Sequence, residues 1–368
     1  MASQPRGAGA YDAAGVRVAE ADMALAGLTD RLRRTWPGGR GNVVLDFGHY
    51  ANVIDLGGGL GLAICTDGVG SKVLIAELVG DYRTIGIDCV AMNVNDLICV
   101  GAAPVTFVDY VAVERVAPAM LLEIAEGLAV GAERAGVSIS GGEIAELPDM
   151  IRGARPGGGF DLAGTAVGTV QLDRILTGAG AIPGDAVVGI ESNGIHSNGL
   201  TLARKVFLSD RGHGIDAILP ELGQSLGLEL LRPTHIYVRE ALDMLDRALD
   251  LRALLHITGD GFFNLTRVAA PVGFLLDALP PPPPIFRSLA ERGGIPAGDM
   301  HTVYNMGVGL CAVVGESGVD AVIDAAAREG KAAWRIGTVT DEPGTVRITA
   351  NPLTGDDLVG RDKRFAPV

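Results

Sequence analysis

Three short segments place carboxylates beside glycines, hydroxyls or an ammonium, in the way that binding a charged ligand would require. Thr66-Asp67-Gly68-Val69-Gly70-Ser71-Lys72 ends an apolar run with an acid, then two glycines, a hydroxyl and a lysine. Backbone N–H groups in such a turn can line an anion, and Lys72 adds a point charge. The segment is not a GxxxxGK[ST] phosphate loop, which is absent from the chain. A glycine-rich turn with a lysine is otherwise an ordinary structural turn. Gly86-Ile87-Asp88-Cys89-Val90-Ala91-Met92-Asn93-Val94-Asn95-Asp96-Leu97 has helical spacing that puts Asp88 and Asn95 on one face, with Asp96 a quarter-turn away. Acids among apolar neighbours are costly unless they meet a cation or donors, which points to magnesium. The plain alternative is a helix with one wet face. Ser140-Gly141-Gly142-Glu143-Ile144-Ala145-Glu146 follows a short apolar stretch, and the two glycines let Glu143 be presented from a loop.

In the second half, Asn193-Gly194-Ile195-His196-Ser197-Asn198-Gly199 sets donors at an expected helix start, where the helix dipole favours phosphate. His256-Ile257-Thr258-Gly259-Asp260-Gly261 combines an imidazole, a hydroxyl and a turn. A lone histidine is more often structural, and His49, His213, His235 and His301 take that reading.

Elements must hold these groups. The patterning predicts a buried strand over 60–66, a helix over 84–100 and a strand over 105–113. A helix is expected over 118–135, with Pro118 in its first turn. Strands follow at 137–140 and 160–170. After a break near 173–185 come a strand at 186–190, a helix capped by Ser197, helices at 234–247 and 318–329, and a strand at 307–314. The prolines at 280–284 read as an extended solvent-facing loop, and 353–368 as a loosely held polar tail. No repeat of solenoid length occurs.

The chain has 368 residues, 48% of them hydrophobic, which suits two α/β domains. A formal charge of −14 argues against nucleic acid or an anionic membrane as partner. It does not exclude a phosphorylated small molecule bridged to carboxylates by magnesium. Four cysteines without a CxxC pair read as buried free thiols. With no apolar leader and no run of ~20 apolar residues, a cytoplasmic protein is expected.

Taken together, TDGVGSK (66–72), GIDCVAMNVNDL (86–97), GGEIAELP (141–148), GIHSNG (194–199), RPTHIYV (232–238), HITGDGF (256–262), YNMGVGL (304–310) and the opening AYDAAGV (10–16) closely resemble the phosphoribosylformylglycinamidine cyclo-ligases, the aminoimidazole ribonucleotide synthetases. The resemblance spans nearly the whole chain in order. It implies a two-domain α/β (α+β) fold in a homodimer, with N-terminal strands of both subunits forming a shared barrel and a C-terminal mixed α/β domain. Residues 1–176 would bind ATP and magnesium and dimerise, and 177–368 would complete the substrate cleft. ATP would phosphorylate the formamide oxygen of formylglycinamidine ribonucleotide, and the amidine nitrogen would then close the ring. The resemblance assigns Asp67, Asp96 and Glu143, with Asp88 as a fourth, to Mg²⁺. Asp67, Gly68, Val69, Gly70, Ser71 and Lys72 would hold ATP. His196, Ser197, Asn198, Gly199, Thr258, Gly259 and Asp260 would face the substrate, and His256, Asp96 and Lys72 would act in catalysis, His256 in proton transfer.

Two departures stand out. Leu45-Asp46-Phe47-Gly48-His49-Tyr50-Ala51 replaces a glycine-rich loop, which looks more like archaeal members, and Gly259-Asp260-Gly261 replaces a glycine triplet. The rival readings are an ATP-dependent relative such as a thiamine-monophosphate kinase, or a non-catalytic nucleotide-binding paralogue.

Overall fold

The computed structural model describes residues 18–368 apart from 37, 39, 40 and 248. The AYDAAGV string (10–16) lies outside the described residues. Helix α1 (Val18–Leu32) leads into a six-stranded sheet of β1 (Val43–Leu45), β2 (Asn52–Gly57), β3 (Leu60–Gly68), β4 (Ala103–Val113), β5 (Ser138–Glu146) and β6 (Phe160–Gln171). Its order is β1-β2-β3-β6-β4-β5, with only the β4–β5 pair parallel. Helices α2 (Val73–Val79), α3 (Ile85–Cys99) and α4 (Pro118–Ala135) cross between strands.

Alternation explains the layering. Phe160, Leu162, Gly164, Ala166, Gly168 and Val170 of β6 all turn inward, and the residues between them do not. The inner face meets α3, which is buried on every side except at Asp96. Such a helix must approach its neighbour closely. Gly86 of α3 and Gly127 of α4 allow it, because a Cβ on Gly86 would collide with the Leu128 nitrogen and one on Gly127 with the Arg83 carbonyl. The outer face is another matter: Val105, Val108, Tyr110, Ile139 and Ile144 are all exposed. Strand β5 does not stop at its glycines. It pairs with β4 from Ser138 to Glu146, so Glu143 sits within an edge strand and not on a loop.

The second half builds an eight-stranded sheet from β7 (Ala186–Glu191), β8 (Leu251–His256), β9 (Gly273–Leu276), β10 (Val308–Val314), β11 (Ala333–Thr340), β12 (Val346–Ile348), β13 (Leu358–Arg361) and β14 (Arg364–Pro367). The order is β14-β13-β12-β9-β11-β7-β10-β8. Strand β10 is buried along its whole length, which explains its unbroken apolar run. Helices α5 (Leu200–Arg204), α6 (Leu226–Leu230), α7 (Val238–Asp246), α8 (Pro284–Gly293), α9 (Ala297–Val303) and α10 (Val319–Arg328) surround it.

Three further expectations change. The helix after GIHSNG begins at Leu200 behind a left-handed Gly199, not at Ser197, whose hydroxyl is engaged elsewhere. Pro280–Pro283 are extended, but Pro284 opens α8, where its missing N–H costs nothing. The C-terminal segment is not a loose tail: β13 and β14 form a hairpin turning at Asp362 and Lys363, both at positive φ. Among the described residues no helix is long and apolar enough to cross a membrane.

His301 on α9 is fully buried, its Nδ1 2.8 Å from the Ala297 carbonyl, and burial pushes its pKa down to about 4. The folded state therefore binds fewer protons than the unfolded chain between about pH 6.5 and 4. The sign follows: stability is present above pH 6.5 and is lost as pH falls towards 4. In urea unfolding at pH 7.5 and pH 5, His301→Gln should flatten this loss by as much as about 2 kcal/mol.

Candidate active site

Asp67 stands at the end of β3, Asp96 in the last turn of α3, and His256 at the end of β8 in the other sheet. The register of β3 and the packing of α3 beneath it bring the two acids together. The Asp67 pKa is lifted to about 6, first by the protein around it and then by the Asp96 charge, although its side chain stays open to solvent on one side. A carboxylate raised by a neighbouring carboxylate in this way marks a site that a cation relieves.

His256 is fully buried, and its Nδ1 lies 2.9 Å from Asp96 Oδ1. Its Nε2 faces the Asn95 amide nitrogen at 3.5 Å. This pattern makes Nδ1–H the donor to Asp96 and Nε2 an acceptor. Asn95 is itself fixed, donating to the His235 carbonyl at 2.8 Å and accepting from the Tyr237 N–H at 2.9 Å. With both nitrogens turned to α3, His256 orients Asp96 and presents no free nitrogen for the expected proton transfer.

Lys72 and Asp88 form a separate node. Lys72 is fully buried, 2.9 Å from Asp88 and 2.6 Å from the Arg232 carbonyl. Burial pushes the lysine pKa down, and Asp88 opposes the shift. Asp88 Oδ1 also accepts from Ser197 Oγ at 3.1 Å, the Thr234 N–H at 2.7 Å and Thr234 Oγ1 at 2.6 Å. Lys72 thus joins the two halves and does not line an open phosphate cradle, and Asp88 is occupied by donors, not poised for metal. Of the expected nucleotide turn, the Gly68 N–H is engaged by Asp67 Oδ1 and the Val69 N–H by the Leu162 carbonyl. Gly70, at φ +71°, is exposed, and Ser71 Oγ lies 2.9 Å from Thr201 Oγ1.

Glu143 does not join Asp67 and Asp96. In the row Asp67–Gly164–Asp109–Gly142, three strand steps separate β3 from β5, roughly 14 Å along the sheet. Among the described residues no three His, Cys, Asp or Glu side chains cluster tightly enough to hold a metal.

The two loops expected to face the substrate do meet. A Cβ on Gly259 would stand 3.3 Å from Asn198 Oδ1, and the Thr258 N–H donates to Asn264. His196, at φ +65°, is buried, and its Nε2 accepts from the Asn193 N–H at 3.0 Å. Burial holds its pKa well below the usual histidine range. Gly199 has a packing reason, since the Tyr304 ring fills the space a Cβ would need. Asp260 pairs with Arg267 and Lys363, which ties it to the C-terminal hairpin.

Sequence reasoning missed Tyr50, which explains the unusual 45–51 loop. Its hydroxyl donates to the His256 carbonyl at 3.0 Å, and Arg267 lies over its ring at 4.9 Å. Tyr50→Phe should cost about 1 kcal/mol of stability in urea unfolding and lower turnover about 3–10-fold. Thr234 and His235 were also missed as contacts, although they lie in a string already marked by its resemblance.

Comparison with known proteins follows the same division. Residues 48–170 match the family described as AIR synthase related protein, N-terminal domain, and 183–349 match AIR synthase related protein, C-terminal domain. The phosphoribosylformylglycinamidine cyclo-ligase of Methanothermobacter thermautotrophicus is 46% identical over 348 residues, covering 95% of this chain and 98% of its own. Among solved structures, a thiamine-monophosphate kinase from Stenotrophomonas maltophilia has a TM-score of 0.57 at 22% identity, covering 87% and 94%. A hydrogenase maturation protein HypE in complex with ATP scores 0.56 at 19%, covering 80% and 83%. The last two share the fold alone.

Proposed function

Because the chain belongs to the phosphoribosylformylglycinamidine cyclo-ligase family, we propose that the seam holding Asp67, Asp96 and His256 is where an ATP-driven imidazole closure takes place. The substrate is formylglycinamidine ribonucleotide, and the products are 5-aminoimidazole ribonucleotide, ADP and phosphate. The formamide oxygen is a poor leaving group until the ATP γ-phosphoryl is transferred to it. The amidine nitrogen then attacks the activated carbon and phosphate departs. Catalysis of this type is positioning and charge neutralisation.

The observation that carries the reading is the Asp96 charge set close enough to Asp67 to raise its pKa, at the meeting of both sheets. These two carboxylates would hold Mg²⁺, which when bound neutralises the charge of the triphosphate. His256 and Asn95 hold Asp96 in one orientation. Gly70 and Ser71 are the residues of the nucleotide turn best placed for phosphate, since Gly68 and Val69 are already engaged. Asn198, Thr258 and Gly259 would face the ribonucleotide.

Glu143 enters from a second copy of the chain. The exposed apolar outer face of the first sheet and the open edge of β5 support a homodimer in which N-terminal strands close a shared barrel. Such closure would carry Glu143 of one subunit towards Asp67 and Asp96 of the other.

The direct test is incubation with formylglycinamidine ribonucleotide, ATP and Mg²⁺, following the diazotisable aminoimidazole together with ADP. Equal amounts of both are expected. ADP without imidazole would mean a kinase-type relative, and neither product would mean a non-catalytic paralogue.

A further inference from the structure

A charged cavity lies away from Asp67 and Asp96, where α4, α7 and the end of α10 converge. It encloses about 230 Å³, and its charged lining is Arg134, Arg239, Lys331, Glu240 and Glu329, with His235 and Ile236 beside them. That volume is below the ~300–1,000 Å³ of drug-sized pockets but is several waters wide. Three cations face two carboxylates, on a chain whose formal charge is −14. His235 adds no charge near neutrality, because burial and then the charges of Lys331 and Arg134 push its pKa to about 4.

Two of these groups are buried in a way that packing alone does not explain. The Lys331 side chain is only 10% exposed, its ammonium 2.9 Å from Glu240 Oε1 and 5.8 Å from the Tyr237 ring centre. Glu240 is 1% exposed, and its Oε2 has no hydrogen-bond partner. A buried carboxylate oxygen left in this state calls for a donor. Arg239 reaches the Glu133 carbonyl through one nitrogen, which leaves the rest of its guanidinium to the cavity.

We propose that this cavity is a second binding site for a small phosphate-class oxyanion, inorganic phosphate or a phosphomonoester, and that its occupancy is passed to the catalytic seam through Asn95. The guanidinium forks of Arg134 and Arg239, with the Lys331 ammonium, match a tetrahedral oxyanion. Glu240 adds selectivity. Inorganic phosphate carries a proton at neutral pH and can donate it to Oε2, whereas sulfate has no proton to give. His235 and Ile236 form part of the cavity wall, and the His235 carbonyl and the adjoining Tyr237 N–H make both hydrogen bonds to Asn95. Asn95 in turn touches His256, which holds Asp96. An anion that moves this segment therefore moves Asp96. The binding half stands on the cavity alone, and the coupling half rests on the cyclo-ligase reading, whose product is phosphate.

Calorimetric titration of the full-length protein without nucleotide or magnesium tests the binding half. Inorganic phosphate, methyl phosphate and sulfate are compared at one ionic strength, with Arg134→Ala/Arg239→Ala and Glu240→Gln as variants. Phosphate should bind at least about tenfold more tightly than sulfate, and the double arginine variant should lose about tenfold or more. Both arginines are exposed, so that variant is expected to fold, and far-UV circular dichroism checks it. If methyl phosphate binds as well as phosphate, the site also accepts a phosphomonoester; if it binds weakly, the occupant is free phosphate. Equal affinity for sulfate, or undiminished phosphate binding in the double variant, overturns the site. For the coupling half, added phosphate should alter the initial rate of ring closure in the wild type and leave the double variant unaffected. Identical phosphate responses in the two proteins overturn the coupling, whereas failure of ring closure itself leaves the calorimetric result standing.

Discussion

Asp96→Asn should lower the turnover of ring closure by about 10²–10³-fold while the protein stays folded. The substitution keeps the volume and the oxygen that His256 meets at 2.9 Å, so the hydrogen bond survives and only the charge is lost. Two consequences separate a metal role from a structural one. The magnesium concentration for half-maximal rate should rise, because one of the proposed ligand charges is gone. The Asp67 pKa should fall from about 6 towards the ordinary range, since Asp96 is the second cause of its elevation. Unfolding by urea should change little, because Asp96 is not fully enclosed, with 18% of its side chain exposed. A variant with wild-type turnover would remove Asp96 from the metal site.

Asp88→Ala should have the largest effect on stability, about 3–5 kcal/mol in urea unfolding. It strands a fully buried Lys72 ammonium and also orphans the donors of Ser197 and Thr234. Because Lys72 comes from the first half and Thr234 from the second, the loss should show as looser attachment of the halves. Pairing Asp88→Leu with Lys72→Met should recover much of the loss, since an apolar pair of similar volume carries no desolvation penalty. If Asp88→Ala unfolds at the wild-type urea midpoint, the node does not join the two halves.

These two acids show how far the sequence could be read. Helical spacing placed Asp88 and Asp96 on one buried helix correctly, and the chemistry of both followed from the need to neutralise a buried charge. Spacing alone could not say which met a cation and which met Lys72, because the deciding partners lie more than a hundred residues away at Ser197, Thr234 and His256. Lys72 was misread for the same reason: a lysine after two glycines suits a phosphate turn until the Arg232 carbonyl closes over it. Most strands and the helix over 118–135 were legible because their periodicity was strong. Ser197 failed as a helix cap because the backbone turns left-handed at Gly199 and the helix starts only at Leu200, while its hydroxyl donates to Asp88. The C-terminal hairpin escaped notice because Lys363 stands where a glycine is expected after Asp362 in such a turn.

The central claim is that the acids of one active site come from two copies of the chain, Asp67 and Asp96 from one and Glu143 from the other. Mixing two inactive proteins tests it most directly. Asp96→Asn and Glu143→Gln are purified separately, each with little ring-closing activity, then mixed, partly unfolded and allowed to reassemble. If the site is shared, half of the dimers combine both subunits and each of those holds one unaltered site, so activity should return to about a quarter of wild type. Reassembled dimers that contain both subunits, confirmed by native mass spectrometry, but show no gain over the separate variants would contradict the claim.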